Sequence, residues 1–206
     1  MHPNPAYRTT DIGDALAFAR QRGFGTLMIN GVDGPLAAHV PFLLSPDGQS
    51  AELHLVRSNP IVRLLTNPSP ALLAVNGPDG YVSPDWYDLE DQVPTWNYIA
   101  VHVRGDLECL PAEDLRNHLD RLAAEYENRL LPKKPWEAGK MSADVLARFM
   151  RMIVPCRLSV GDVQSTWKLN QNKPAAARHG AARHIASSGI GHETAALAQL
   201  MQAVQE

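Results

Sequence analysis

Cysteine is almost missing from this chain. Of 206 residues only Cys109 and Cys156 are cysteines, and neither has a second cysteine within metal-ligand or redox-motif spacing, which excludes a disulfide framework and a zinc finger. No stretch is apolar over the roughly 20 residues that a membrane-spanning helix needs. The opening Met1-His2-Pro3-Asn4-Pro5 lacks the basic start and apolar core of a secretion signal, so no membrane contact and a cytoplasmic location are expected. Nor is there an excess of one charge: Lys+Arg 19 against Asp+Glu 22 leaves a net charge of −3, with no global drive toward nucleic acid. A dinucleotide fingerprint, a P-loop and a nucleophile elbow are all absent. His192-Glu193-Thr194-Ala195-Ala196 begins like a zinc-protease motif but lacks the second histidine, and no metal site is expected.

What is present is an ordinary globular composition, 45% hydrophobic and 20% charged, in a length that suits one domain with a small appendage. Ile12, Leu16 and Ala19 recur at helical spacing before Gly23 and predict an opening helix. Apolar runs on either side of Asn30-Gly31-Val32-Asp33-Gly34 predict a β-hairpin between Gly25 and Leu44. Further strands are expected at 52–56, 71–75, 96–107 and 152–160, with Gly77-Pro78-Asp79-Gly80 read as a turn. Leu115, Leu119, Leu122, Tyr126 and Leu130 predict an amphipathic helix after Pro111, Ser142 opens another, and the tail reads as helical and Ala-rich. The sum is an α+β chain, mainly β: an antiparallel barrel with peripheral helices.

Polar and aromatic residues concentrate around the turns. Alternation sends His39 to the face opposite Val40 and Phe42. At His54-Leu55-Val56-Arg57-Ser58-Asn59-Pro60 a strand ends just before a helix. Arg57, Ser58 and Asn59 there read either as donors to a phosphate or as a helix cap with an exposed arginine. Ser83, Trp86 and Tyr87, with Thr95, Trp96, Asn97 and Tyr98, form an aromatic group that suits either a conjugated ring or a subunit interface. In the long strand Trp96, Tyr98, Ala100, His102 and Arg104 share one face, and Asn97, Ile99, Val101 and Val103 the other, which is the expected core side. From Lys168 through His184 the chain carries Lys168, Lys173, Arg178 and Arg183 and no acidic residue, a local basic stretch that reads as a solvated face or as a contact to a phosphate or nucleic acid.

Taken together, five segments resemble the PaiB family of FMN-binding negative transcriptional regulators. They are Ala38-His39-Val40-Pro41-Phe42, His54 with Arg57 and Asn59-Pro60, Gly77-Pro78 through Tyr81-Val82-Ser83-Pro84 to Trp86-Tyr87, Pro94-Thr95-Trp96-Asn97-Tyr98, and Trp167-Lys168-Leu169 with Gln171-Asn172. The chain departs from the family pattern at Leu53, Asp79 and Ser165-Thr166, where a Gly, a His and a Gly-Lys pair are usual. The resemblance implies an FMN-binding split barrel of the pyridoxamine phosphate oxidase-like superfamily, homodimeric, with residues 1–165 as the barrel, a helical insertion at about 111–153 and a helical segment at 166–206. It also implies FMN as cofactor, its phosphate near Arg57, Ser58 and Asn59 with Lys168 reaching in. His39, His54, Ser83, Trp86, Thr95, Trp96 and Asn97 are then expected to face the flavin ring or the dimer. The function implied is a transcriptional regulator with a DNA or regulatory protein partner. An FMN-dependent oxidoreductase is the alternative, since flavin supplies its own redox chemistry.

Overall fold

The computed structural model describes residues 1–204. Along the chain run α1 (Ile12–Arg22), β1 (Phe24–Gly31), β2 (Gly34–Leu44), β3 (Ser50–Val56), α2 (Pro60–Leu64), β4 (Ser69–Val82), β5 (Thr95–Cys109), α3 (Asp114–Glu127), α4 (Ala143–Met150), β6 (Ile153–Lys168), α5 (Ala175–Ser188), β7 (Gly191–His192) and α6 (Thr194–Ala203). Hydrogen-bonded strand neighbours follow the order β1-β2-β3-β6-β5-β4-β7, and an additional β1–β4 pairing closes the ring. By internal contacts the chain falls into two compact units: Phe18–Ala74 with Val103–Asp162, and Met1–Ala17 with Val75–His102 and the chain from Val163 on.

The first of these is the barrel with its helical excursion. Gly23, at φ +58°, ends α1, and β1 runs antiparallel both to β2 and to Ala71–Ala74 of β4. The hairpin turns at Gly31 and Gly34, where φ of +131° at Gly34 demands glycine. β3 pairs along its whole length with residues 153–159 of β6. Alternate residues of these strands, among them Leu27, Phe42, Leu53, Leu73, Val103, Leu107 and Leu158, are almost fully buried and fill the interior. α3 buries Leu115 and Leu122 of its apolar stripe together with His118, whereas Leu130 of the expected stripe lies beyond the helix and is exposed. α3 and α4 lie between β5 and β6.

In the other unit the second half of β4, the first half of β5 and the end of β6 carry α5 and α6. Leu197, Met201 and Ile185 form its core with Ile99 and Val101. The predicted alternation of the long strand holds, with Asn97, Ile99 and Val101 buried and Trp96 exposed. Gly77-Pro78-Asp79-Gly80 is not a turn but the interior of β4. Gly80 serves close approach: a Cβ there would stand 2.7 Å from Ile185 Cδ1 and 3.2 Å from Leu197 Cδ2. Asp79 and Gly80 pair instead with β7, which sequence patterning does not reveal. The last two residues of the segment expected at 166–206 lie outside the described residues.

Candidate functional site

Pro84 sits in the first turn of a short 3-10 helix, Pro84–Tyr87, with Ser83 at its N-cap position. That turn separates two aromatic side chains: Tyr87 is buried, whereas Trp86 is half-buried and stacks on His184 of α5 with ring centroids 5.5 Å apart at 20°. Gly180 admits this approach, since a Cβ there would lie 2.8 Å from the Trp86 carbonyl oxygen. Tyr81 meets Trp86 and Trp96 edge-on at 6.4 and 6.3 Å, so Trp96, Tyr81, Trp86 and His184 make one aromatic row.

Two lysines approach the tyrosines of the same unit. β6 ends at Lys168, and Gln171 pins the bend that follows: its amide donates to the carbonyls of Trp167 (2.6 Å) and Ala6 (3.1 Å) and accepts from the Leu169 N–H (2.8 Å). Lys168 Nζ donates to Thr95 Oγ1 at the start of β5 and lies 5.9 Å from the centroid of the Tyr7 ring. Lys173 Nζ donates to Gln92 Oε1 and lies 5.2 Å from the Tyr87 ring. Tyr87 donates to Asn170 Oδ1 at 3.3 Å, with Asn170 in the left-handed region at φ +61°. Burial holds the Lys168 ammonium below its usual pKa and pushes both tyrosine hydroxyls up, with the neighbouring Tyr7 adding to the rise at Tyr87.

The chemistry of this donor set is that of an anion site beside aromatic rings. Both ammonium groups rest on neutral oxygens and ring faces, and among the described residues neither meets a carboxylate and the buried Asn170 Nδ2 has no acceptor. A phosphate would restore what desolvation removes from Lys168, and ring faces suit the aromatic part of a phosphorylated nucleotide. The residues present therefore fit FMN.

The remaining predicted residues have other partners. Asn97 turns into the core, where its Nδ2 donates to Met201 Sδ at 3.4 Å. In the barrel unit His39 is exposed and shares a 3.0 Å hydrogen bond with Thr26 Oγ1. His54 Nδ1 lies 3.2 Å from Nε2 of buried His118, whose other ring nitrogen is 3.8 Å from Glu52, itself bridged to Arg121 and Arg157. Burial, and then the neighbouring His54, lower the His118 pKa to about 4. Arg57 donates to the carbonyls of Arg151 (2.9 Å) and Ile153 (3.1 Å), and Asn59 caps α2 by accepting from the Ile61 N–H at 3.0 Å. Ser58 is exposed beside them.

The basic stretch does not form one surface. Arg178 is buried at 3% exposure, donating to the carbonyls of Met201 and Val204 at 3.0 Å each, while Lys168 and Lys173 belong to the tyrosine cluster. Of the tyrosine cluster, the sequence singles out Thr95 and the run from Lys168 to Lys173 that includes Asn170, but passes over Tyr7 and Gln92. That run, Lys168-Leu169-Asn170-Gln171-Asn172-Lys173, sets two lysines around amides directly after a strand.

Residues 1–162 match the family described as "Putative FMN-binding domain". The chain is 30% identical over 169 residues to the protease synthase and sporulation protein PAI 2 of Bacillus subtilis, covering 81% of this chain and 80% of that protein. Among solved structures, the FAD and heme binding protein of Mycobacterium smegmatis superposes with a TM-score of 0.58 at 16% identity, covering 90% of this chain and 82% of that one. The flavocytochrome Anf3 of Azotobacter vinelandii gives 0.53 at 16% identity, covering 81% and 72%. These likenesses agree with the closed antiparallel ring, which is that of the flavin-binding split barrel. The chain belongs to the FMN-binding domain family, with a PaiB-like sequence, and the family points to a flavin as its cofactor.

Proposed function

We propose that the chain binds FMN with the phosphate against Lys168 and Lys173, and that the flavin-loaded protein is a transcriptional regulator that works as a homodimer. The observation that carries the binding reading is the pair of ammonium groups held among Tyr7, Thr95, Tyr87 and Gln92 with no carboxylate partner among the described residues. Tyr7 and Tyr87 then shield the ligand from water, Asn170 supplies an amide donor, and the row from Trp96 to His184 lies ready for a ring or a second subunit. Bound FMN supplies one- and two-electron redox chemistry, while the protein supplies orientation and charge. The regulatory reading draws on the sequence likeness to a protein named for protease synthesis and sporulation.

Arg57 and Ser58 are the second candidate for the phosphate. Two of the five guanidinium N–H donors are used on Arg151 and Ile153, which leaves three for an anion. Titrating FMN into the flavin-free Lys168→Ala and Arg57→Ala variants separates the two: the variant that weakens binding marks the phosphate site. Gel-shift assays on DNA upstream of the protein's own gene, with and without FMN, test regulation, and a shift that stays absent at low salt counts against direct DNA contact. The names of two structural neighbours, a flavocytochrome and a protein binding FAD and heme, favour an oxidoreductase as the second reading. Failure of NADH or NADPH to reduce the bound flavin counts against it.

A further inference from the structure

Cys109 and Cys156 are distant in sequence yet face each other across two strands. The Leu110 N–H donates to the Pro155 carbonyl at 2.8 Å, so these two residues are opposed at a hydrogen-bonded position. Cys109 and Cys156 occupy the adjoining non-hydrogen-bonded position, where opposed Cα atoms stand about 4.5 Å apart and the side chains leave the same face. A disulfide spans Cα separations of about 4.4–6.8 Å. Both thiols are free, and Cys156 Sγ donates to the Val154 carbonyl at 3.7 Å. Cys156 is fully buried and burial pushes its thiol up, whereas Cys109 is half-buried and open to a small reagent.

Their place in the chain gives the pair a consequence. The excursion carrying α3 and α4 leaves β5 directly after Cys109 and returns into β6 shortly before Cys156. A bond between the two sulfurs would tie the excursion at its base.

We propose that Cys109 and Cys156 are a reversible oxidation site, closing to an intramolecular disulfide in the presence of hydrogen peroxide and clamping the base of the helical excursion. The Cys109 thiolate attacks one peroxide oxygen: the S–O bond forms, the O–O bond breaks, and the departing hydroxide takes a proton to become water. The Cys156 sulfur then attacks the Cys109 sulfenic acid. The S–S bond forms, the S–O bond breaks, and a second water leaves with the Cys156 proton. Two thiols lose two electrons in all, and the peroxide gains them. The flavin has no part in this step.

The test treats the full-length protein with hydrogen peroxide, then denatures it, adds iodoacetamide and measures intact mass and unreduced peptides. The expected product has lost the mass of two hydrogens, takes up no alkyl group, and yields one peptide pair joining Cys109 to Cys156. Dithiothreitol restores two alkylatable thiols, Cys109→Ser and Cys156→Ser each abolish the link, and the linked form melts at a higher temperature. Peroxide-treated wild-type protein in which both cysteines still alkylate, or in which Cys109 gains oxygen while Cys156 still alkylates, overturns the proposal without need of a variant. A Cys109–Cys109 link between two chains overturns it equally. A linked form with an unchanged midpoint overturns the clamp.

Discussion

An ammonium group drawn partly out of water is costly unless something anionic meets it, and among the described residues Lys168 rests on a threonine hydroxyl and a tyrosine ring. If the FMN phosphate is that anion, Lys168→Ala removes a charge-assisted hydrogen bond worth about 1.5–3 kcal/mol, so FMN binding should weaken roughly tenfold or more. Isothermal titration of the flavin-free variant checks this. A second residue-scale prediction concerns His118, whose pKa falls from 6.5 to about 4 through burial and the nearby His54. The unfolded chain therefore binds a proton more readily than the folded one between those values. Stability contributed by neutral His118 is complete above pH 6.5 and is lost as pH falls toward 4, by about 3 kcal/mol at most. Urea unfolding across that range should show the loss, and His118→Gln should flatten it. Thr95 stood out in the sequence within an aromatic group, and Lys168 as a site residue came from the family resemblance. Tyr7 did not stand out, because its place beside Lys168 depends on Gln171 holding the Ala6 carbonyl, a contact between residues far apart in sequence.

At the scale of elements, the lesson of β4 is that glycine and proline punctuate a chain only when nothing packs on them. Gly77-Pro78-Asp79-Gly80 has turn composition, yet Ile185 and Leu197 lie so close that Gly80 belongs to a packed strand. Gly80→Ala should destabilise the protein by about 1–3 kcal/mol through overpacking, measured as a lower urea midpoint with unchanged slope. Arg178 makes the complementary case: read as part of a basic surface, it is buried and holds the carbonyls at the end of α6. Arg178→Ala leaves those carbonyls unmatched and should cost about 2–4 kcal/mol, with α6 the first element to lose hydrogen-exchange protection. Helices with strong periodicity and strands with clean alternation were legible. The two-residue β7 was not, since its pairing with Asp79 depends on a fold already formed.

For the whole molecule, the mainly β, antiparallel class was readable from the hairpin and the long strands, whereas the order of the strands and the β1–β4 pairing come from contacts between residues far apart in sequence. The flavin entered through motif resemblance, because composition and periodicity carry no ligand signal. Among the described residues no helix is long and apolar enough to cross a membrane. The proposed homodimer should appear in light scattering at twice the 22.6 kDa chain mass, and the exposed Trp96 should lose solvent quenching on association. The most direct test of the account is an FMN titration of the flavin-free wild type beside the Lys168→Ala, Lys173→Ala double variant, followed by flavin fluorescence. Saturable binding at one FMN per chain, weakened by at least tenfold in the variant, is the predicted result. Identical titrations for the two proteins, or no saturation in the wild type, would contradict it.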